Sequence, residues 1–242
     1  MTSAVIVHYR GGDQVSRCID SCLTEGSITE VVVVDNEGGF RDPRVRVVAM
    51  PRNVGYGRAA NAGLGVAGTE PVLVLNQDVV LPRGAVASLL EAGRATEAWL
   101  VGPKLIDLDG TVNLSGGQFP WPFAPPPAPR DASWRYVPWL PGAALLFMPG
   151  HTDLRFDSRF FMYVEDEDLC ARVWRMGGRV VRADAVTIVH EGGTAASARW
   201  SDTSIAFRIL SGRVRMVRAH RGLLAAARYG VGRLVRAPLR RL

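Results

Sequence analysis

The sequence predicts an α/β fold with a doubly wound, mostly parallel central sheet and with helices at the C-terminus of the chain. Two observations support this prediction. In the first hundred residues, short runs rich in β-branched side chains alternate with segments of helical periodicity, which is the pattern of successive βαβ units. In addition, 48% of the 242 residues are apolar, which is ample for a core that folds on its own.

Four apolar runs are predicted to be the strands of this sheet, at residues 3–9, 30–36, 44–50 and 71–78. Their short, valine-rich composition is typical of parallel strands that are buried on both faces. Ligands of such sheets bind beyond the carboxyl ends of the strands, so the residues that end these runs are the first candidates for a site. These residues are His8, Tyr9, Asp35, Asn36, Asn76, Gln77 and Asp78.

Helical patterns occupy most of the intervals between these strands. The first includes Cys18 and Cys22, whose spacing favours two buried thiols on one face of a helix. The second covers residues 59–66, and the third follows Pro82. The chain has three scattered cysteines, which argues against a disulfide framework or a CxxC zinc site and favours a reducing compartment.

Beyond residue 103 the alternation stops. Residues 116–134 are rich in proline and predict a mobile or extended loop with exposed aromatic side chains, either a lid or a disordered segment. A buried strand with a bend at Gly142, a helix ended by Gly177 and one or two strands ending at His190 are expected to follow. The inward face of that helix should consist of Leu169, Val173, Trp174 and Met176.

Four consecutive carboxylates, Glu165 to Asp168, directly follow the apolar run 160–164. Like charges at an apolar edge repel one another and lose hydration, so a chain that keeps them there neutralises them or uses them. Capping of the helix by Glu165 or Asp166, with the other acids in the first turn, would account for two or three of the four. The remainder fits a general base, because clustered carboxylates raise one another's pKa toward the working pH.

Asp78 and His190 are candidate ligands of a divalent cation such as Mg²⁺ or Mn²⁺, because each ends an apolar run and together they offer oxygen and nitrogen. Taken alone, Asp78 also suits a turn or a helix cap before Pro82, and His190 also suits a structural histidine. The two residues together favour a mixed carboxylate–imidazole site.

Residues 55–60 match the relaxed dinucleotide-binding fingerprint, and Asp78 follows at about the distance of a ribose-binding acid. The fingerprint requires its first glycine immediately after a strand, whereas residues 51–54 intervene here. A nicotinamide-dependent dehydrogenase is therefore only an alternative. Asn53 and Asn61 suit a loop that touches ribose, phosphate or sugar hydroxyls.

The net formal charge of +6 conceals an asymmetry. Residues 203–242 contain ten arginines and no acid, which leaves −4 for residues 1–202. This tail suits either adsorption to an anionic membrane surface or a solvated basic face on packed helices. Nucleic acid is not expected as a partner, because few aromatic residues accompany the arginines. Without a leader-like segment or a spanning stretch, we expect a cytoplasmic protein, peripheral at the inner face of the membrane if the tail adsorbs.

Seven segments occur in an order and at a spacing that resemble glycosyltransferase family 2, and most of all its bacterial rhamnosyltransferase-type members. The segments are VIVHYRGGDQVSRCIDSC, EVVVVDNEGG, RNVGYGRAANAGL, VLVLNQDVVL, GAALLF, FFMYVEDEDLCARVWRMGGRV and VHEGGT. Together they span roughly residues 3–195. Each motif alone is weak, whereas the ordered set is specific.

The resemblance implies the GT-A fold and an inverting, metal-dependent transfer of a sugar, for example the deoxysugar rhamnose, from a dTDP- or UDP-sugar to an acceptor hydroxyl. Asp166 would be the catalytic base, and Asp78 and His190 would hold Mn²⁺ or Mg²⁺. The residues expected at the donor are His8, Tyr9, Asp35, Asn36, Asn53, Arg58, Asn61, Asn76 and Gln77. Those expected at the acceptor, lipid-linked or a small glycan, are Trp139, Gly142 and Glu165.

The same resemblance divides the chain. Residues 1–198 would form the GT-A domain, with a nucleotide-sugar-binding half at 1–102 and an acceptor and catalytic half at 103–198. Residues 199–242 would be a basic helical appendage. The expected role is cell-envelope or polysaccharide biosynthesis in a bacterium. The alternative, from a different class, is a catalytically silent partner subunit that binds sugar nucleotides or glycans without turnover.

Overall fold

The computed structural model describes residues 1–112, 116–191 and 201–236, with side chains described as far as residue 233. Nine strands lie in these ranges: β1 (Thr2–His8), β2 (Ile28–Asp35), β3 (Arg46–Ala49), β4 (Val72–Asn76), β5 (Val79–Val80), β6 (Leu100–Ile106), β7 (Trp134–Tyr136), β8 (Ala144–Phe147) and β9 (Val180–His190). The helices of these ranges are α1 (Asp13–Glu25), α2 (Tyr56–Leu64), α3 (Ala85–Thr96), α4 (Glu165–Arg175), α5 (Asp202–Arg221) and α6 (Leu223–Arg236).

The strands form one sheet in the order β3-β2-β1-β4-β8-β6-β9-β5, and β7 pairs with another part of β9. The strands β3, β2, β1 and β4 are mutually parallel, whereas β8 is antiparallel to both of its neighbours. The predicted α/β fold with a mostly parallel central sheet and C-terminal helices is confirmed. Because parallel strands end at one edge, His8 lies opposite Asp35, and Val7 lies opposite Asn76.

The core lies on both faces of the sheet, because successive side chains of a strand point to opposite sides. In β1, Ala4 and Ile6 join the core that α1 and α3 cover, while Val5 joins the core that α2 and α4 cover. Cys18 and Cys22 are free, fully buried thiols, as predicted. Because the helices cover the two faces of the sheet, the carboxyl ends of β1, β2 and β4 remain available for a binding site.

The second half contains the predicted strand that ends at His190 and departs from the predicted elements in α4. Residues 180–190 form the single strand β9, whose pairing with β6 shifts register between Pro103 and Lys104. In α4, Leu169 and Val173 are fully buried, as predicted, but Met176 is 50% exposed. Met176 was expected to face inward, and this prediction is wrong because the helix ends at Arg175 and Met176 is its C-cap.

The aromatic side chains of the proline-rich loop pack onto the protein. Phe119 is only 6% exposed, and its ring stacks on Trp121 with centroids 5.1 Å apart. Trp121 in turn stacks on His220 of α5, and Phe123 contacts Trp174 of α4. The prediction of exposed aromatics is therefore wrong for Phe119, because two helices distant in sequence supply it and its neighbours with partners.

The C-terminal helix α5 is packed tightly into the domain. Its residues Met216 and Val217 are buried, and Gly212 approaches Val164 so closely that an added Cβ would lie 2.9 Å from a valine methyl group. The helices α5 and α6 contact each other. Within the described ranges, no helix is both long enough and apolar enough to span a bilayer.

Candidate active site

Gln77 ties the end of β4 to the end of β1. Its side-chain Nε2 donates to the carbonyl of Tyr9 (2.9 Å), and its Oε1 accepts from the backbone N–H of Tyr9 (2.8 Å). Those two bonds fix the orientation of the amide, so the 2.8 Å contact between Oε1 and His8 Nδ1 requires His8 to donate. Gln77 therefore holds His8, 7% exposed, at the edge of the sheet.

Asp35, at the end of β2, organises the loop that follows it. Its carboxylate accepts from the backbone N–H groups of Glu37, Gly38 and Phe40 at 2.8–3.1 Å. Burial raises the pKa of Asp35, but the amides of Gly38, Phe40 and Glu37 outweigh burial and leave that pKa below its ordinary value. The loop brings Phe40 against the ring of His8, with centroids 4.9 Å apart.

Asn36 and Asn53 shape the neighbouring loop. The Asn36 side chain accepts from the N–H of Val54 and donates to Asn53 Oδ1, which also accepts from the N–H of Gly55. These hydrogen bonds fix the backbone of residues 53–55, which directly precede α2. Asn36 lies at the predicted edge of the sheet and Asn53 lies in the predicted loop, and the side chains of both bind protein groups.

The glycines of the dinucleotide-like segment serve close packing. Gly55 has φ +90°, and an added Cβ there would lie 2.1 Å from the carbonyl oxygen of Phe161. The N–H of Tyr56 donates to that same carbonyl (3.0 Å). The backbone of Phe161 therefore occupies the space next to Gly55 that a phosphate would need. This close contact explains why residue 55 is a glycine, and no bound nicotinamide dinucleotide is required to explain it.

Arg58 and Asn61 bind the same segment. The Arg58 guanidinium donates to the carbonyl of Ser158 at 2.8 and 3.0 Å, and Asn61 makes two hydrogen bonds with the backbone of Phe156. Both were expected beside the donor sugar. In the structure their polar atoms instead connect α2 to the segment that precedes α4.

A cavity of about 310 Å³ lies between the carboxyl edge of the sheet, the start of α4 and α5. It contains every residue expected at the acceptor and the expected base, together with one expected metal ligand. Its polar lining consists of Tyr56, Asn76, Trp139, Gly142, Glu165, Asp166, Glu167, His190 and Arg213. Residues from β4, β9, α2, α4 and α5 therefore meet at one place.

Asp78 and His190 lie side by side because β5 pairs with the end of β9. Asp78 Oδ1 is 3.3 Å from His190 Nε2, close enough for an ion pair, yet no hydrogen bond aligns with that oxygen. Burial lowers the pKa of His190, but the carboxylate of Asp78 outweighs it and raises the pKa above its ordinary value. His190 Nδ1 is buried without a hydrogen-bond partner.

This pair fits a cation that is shared with a ligand. Among the described residues, no group of three or more His, Cys, Asp or Glu side chains could enclose a metal ion. Two ligands with buried, unsatisfied atoms suit Mg²⁺ or Mn²⁺, which commonly take their remaining ligands from substrate phosphates and water. The segment VHEGGT, which contains His190, continues into residues 192–194, and these lie outside the described residues.

The acidic run begins directly after two strained residues. Tyr163 and Val164 have φ +70° and +73°, a conformation that is rare for any residue with a Cβ and rarer for a β-branched one. Val164 is the N-cap of α4, and no side chain caps the helix. The prediction that Glu165 or Asp166 is the cap is therefore wrong: all four acids lie inside the first turn.

The first two acids face the cavity. Asp166 Oδ2 accepts from the N–H of Gly142 (2.9 Å), whose carbonyl accepts from the Tyr56 hydroxyl (2.5 Å). Burial raises the pKa of Asp166, although the N–H groups of Gly142 and Glu167 oppose the rise. Burial and the charge of Asp166 raise the pKa of Glu165 to about 8, and Glu165 Oε2 has no hydrogen-bond partner.

The last two acids are neutralised by helices. Arg213 of α5 binds Glu167 with both Nε and Nη2, the shortest contact being 2.7 Å. Asp168 accepts from Arg172 (2.9 Å) and contacts His220 Nε2 (2.9 Å). Arg213 was not among the residues predicted for the site, although the arginine excess of the tail beside an acidic body was a signal for such pairing.

Tyr56 was also missed as a site residue. Burial raises the pKa of its hydroxyl well above the ordinary value, and Glu165, Asp166 and Asp78 add to the rise. The hydroxyl therefore stays protonated and fixes the turn at Gly142. Its position directly after Gly55 in the segment 52–63 was the only signal.

Comparison with known proteins identifies relatives. A family model described as Glycosyl transferase family 2 matches residues 3–118. The chain is 33% identical over 229 residues to N-acetylglucosaminyl-diphospho-decaprenol L-rhamnosyltransferase of Mycobacterium tuberculosis, which covers 77% of this chain and 74% of that protein. It is 34% identical over 118 residues to succinoglycan biosynthesis protein ExoO of Rhizobium meliloti, covering 44% of this chain and 34% of that protein.

Solved structures share the fold at low sequence identity. GalNAc-T7, solved with UDP, GalNAc and Mn²⁺, matches 90% of this chain with a TM-score of 0.69 and 14% identity; this chain spans 48% of its length. The mannosyltransferase PcManGT of Pyrobaculum calidifontis, solved with GDP-Man and Mn²⁺, matches 99% of this chain and 81% of its own, with a TM-score of 0.58 and 15% identity. Taken together, these similarities show that the chain belongs to glycosyl transferase family 2 and is a glycosyltransferase with the GT-A fold, similar to the rhamnosyltransferase-type members.

Proposed function

We propose that this glycosyltransferase moves a sugar such as rhamnose, with inversion, from a dTDP- or UDP-sugar to a hydroxyl of a lipid-linked acceptor. The lipid-linked acceptor is suggested by the relative from Mycobacterium tuberculosis, whose name specifies N-acetylglucosaminyl-diphospho-decaprenol. The donor class is suggested by the solved neighbours with bound UDP, UDP-GlcNAc or GDP-Man.

One observation supports the site most strongly. Five buried side-chain polar atoms of the described residues lack a hydrogen-bond partner, and four of them lie at this cavity or beside it. They belong to Asp78, Trp139, Glu165 and His190. An unsatisfied buried polar group costs about 1–3 kcal/mol, so four in one place indicate a surface that is completed by a polar ligand.

Asp166 is the proposed base. Its carboxylate reaches the cavity with one oxygen fixed by Gly142, so it can accept the proton of an acceptor hydroxyl as that hydroxyl attacks the anomeric carbon. Burial raises its pKa, which brings its basicity closer to neutral pH. In-line attack from this side, opposite the departing diphosphate, gives inversion.

The leaving group is proposed to lie at Asp78 and His190. A divalent cation bound by these two residues would stabilise the negative charge that develops on the diphosphate. His8, Tyr9 and Asp35, at the ends of β1 and β2, are proposed to meet the base and ribose of the donor. Asn36, Asn53 and Gln77 would keep that edge in shape, through the hydrogen bonds described above.

Contact with an anionic membrane is part of the proposal, since the acceptor is a lipid. On α6, Leu223, Leu224 and Val231 are 61–82% exposed and lie among the exposed Arg228 and Arg233. Such a mixture of apolar and cationic side chains suits adsorption to a lipid surface. Co-sedimentation with phosphatidylglycerol vesicles, but not with phosphatidylcholine vesicles, is the expected result. Arg240 and Arg241 lie outside the described residues.

The substitution Asp166→Asn tests the function. We expect transfer to fall by at least about 100-fold, because general-base catalysis contributes about 10²–10⁴. Donor binding, measured as the thermal shift with dTDP-, UDP- and GDP-sugars plus Mn²⁺, should stay within twofold of the wild type. Transfer that survives in Asp166→Asn would contradict the role of the base, and a wild type that no donor stabilises would contradict the donor class.

A further inference from the structure

A second concavity adjoins the cavity of Asp166. This groove of about 540 Å³ lies between the segment 160–163 and one face of α5, and Met162 and Tyr163 line both the groove and the cavity. The groove is therefore the neighbouring concavity for a ligand whose reacting end occupies the cavity. No function described so far uses it.

The α5 side of the groove is polar and cationic in a regular pattern. Ser204, Arg208, Ser211 and Arg215 line the groove, and their spacing of four, three and four residues places them on one face of the helix. The two arginines are separated by about 10 Å along the axis. No carboxylate is found in the described lining of the groove.

The arginines of α5 differ in what they contact. Arg213 is committed to Glu167, whereas Arg215 makes no ion pair with any described residue and points its exposed side chain to the groove. Arg208 lies near Tyr163, since its charge lowers the pKa of that hydroxyl. A cationic wall without a carboxylate favours an anionic ligand, and arginine binds phosphate oxygens in bidentate fashion.

The rim of the groove is apolar. Phe207 is 69% exposed and Phe161 is 38% exposed, and both line the groove. Exposed aromatic side chains beside arginines at one site suit a molecule that has an anionic part and a hydrocarbon part. A lipid diphosphate has an anionic diphosphate followed directly by a hydrocarbon chain.

We propose that this groove binds the diphosphate and the first isoprenoid units of the lipid-linked acceptor, an inference that rests on the proposed function. The acceptor sugar lies in the cavity beside Asp166, the diphosphate lies between Arg208 and Arg215, and the hydrocarbon leaves over Phe161 and Phe207. The groove thus selects acceptors that contain a diphosphate, independently of the donor.

The test compares two double variants with equal charge change. Arg208→Gln/Arg215→Gln alters the groove, whereas Arg83→Gln/Arg94→Gln removes two exposed arginines beside and on α3, which covers the opposite face of the sheet. Two acceptors are used in detergent: N-acetylglucosaminyl-diphospho-farnesol and octyl N-acetylglucosaminide, which has no diphosphate. Thermal melts establish that each variant is folded.

For the groove variant we expect the KM of the diphosphate acceptor to rise at least tenfold, with kcat, donor affinity and use of the octyl glycoside within twofold of the wild type. The α3 variant should match the wild type with both acceptors. An equal KM in both variants, or an equal loss with both acceptors, would overturn the proposal. A groove variant that loses only adsorption to phosphatidylglycerol vesicles would also overturn it, because the groove would then bind membrane headgroups.

Direct binding separates this inference from the proposed function. If the wild type transfers to neither acceptor, the proposed function fails, and titration of the wild type with N-acetylglucosaminyl-diphospho-farnesol still tests the groove. Binding that is weakened tenfold in the groove variant alone would support the site. Binding that is absent from the wild type, or unchanged in the variant, would refute it.

Discussion

Two adjacent pairs of carboxylates on the first turn of α4 have opposite electrostatic environments. Glu165 and Asp166 face the cavity and make no ion pair with any described residue. Asp166 accepts from the N–H groups of Gly142 and Glu167, and burial raises the pKa of both acids. Glu167 and Asp168 are at least as buried but each has a cationic partner, Arg213 or Arg172. One pair is neutralised, and the other pair is left without a cationic partner among the described residues.

The difference shows what α5 does. Without Arg213, Glu167 would be a third unpaired carboxylate within one turn, and its repulsion would raise the pKa of its neighbours further. Helix α5 also approaches the strained Val164 through Gly212. Helix α5, which was predicted to belong to a basic appendage, therefore packs against the candidate active site. Three substitutions test the comparison between the two pairs of acids, from the largest expected loss of stability to the smallest.

Arg213→Met should have the largest effect on stability. It leaves Glu167, 4% exposed, without its bidentate partner, and breaking such a pair costs about 3 kcal/mol. For a domain of this size, Tm should fall by about 6–12 °C in a thermal melt at pH 7.

The matched control is the double variant Arg213→Met/Glu167→Gln. It removes both charges, so it should recover most of the lost Tm, because no uncompensated charge stays buried. Equal Tm values for the single and double variants would show that the packing of the Arg213 side chain, rather than its charge, stabilises α4.

Gly212→Ala should have a smaller effect. The new Cβ would lie 2.9 Å from Val164 Cγ2 and 3.2 Å from Val164 Cβ, so α5 and the N-terminus of α4 must move apart. Overpacking of this kind costs about 1–2 kcal/mol, and kcat should fall because Asp166 moves with its helix.

Gly232→Ala in α6 is the control for that prediction. An added Cβ there has no atom within 4 Å among the described residues, so the replacement should stabilise the protein slightly or leave it unchanged. Melts and kcat measurements on both variants make the comparison. Equal Tm and kcat values for Gly212→Ala and Gly232→Ala would show that the close contact between Gly212 and Val164 affects neither stability nor turnover.

Glu165→Gln should cost no stability, and its effect should depend on pH. The pKa of Glu165 is about 8 in the folded chain and 4.5 in the unfolded chain. The folded state then binds more protons between these values, so the free energy of unfolding falls as the pH rises from about 4.5 to about 8.

Glutamine does not titrate, so the Glu165→Gln variant should gain Tm relative to the wild type as the pH rises from 5 to 8.5. We expect the difference in Tm to be largest at pH 8.5 and small at pH 5. A constant difference across that range would show that Glu165 ionises normally in the folded protein.

The predictable part of the fold is the part set by local patterns. The valine-rich runs became β1 to β4, and the amphipathic segment with Cys18 and Cys22 became α1, because burial on one or both faces leaves a periodic signature. Asp78, Asp166 and His190 could be singled out as candidate site residues for a similar reason: polar groups next to apolar runs require partners or a ligand.

The predictions that were wrong involve contacts between distant parts of the chain. Phe119 is covered because its neighbour Trp121 finds His220 about a hundred residues away, and the cap of α4 is the backbone of Val164 rather than an acid. No local sequence pattern indicates either feature, because each depends on how distant helices pack in the folded protein.

From its sequence alone, this protein could be predicted to be an α/β transferase with carboxylates and a histidine at the ends of strands. Periodicity and the ordered motifs contain that information. Only the tertiary structure decides which of the four acids lack a cationic partner, because Glu167 meets Arg213 only when α5 packs beside α4, whereas Asp168 also pairs with Arg172 of its own helix. Electrostatic environment depends on distance in space, and distance along the chain does not determine it.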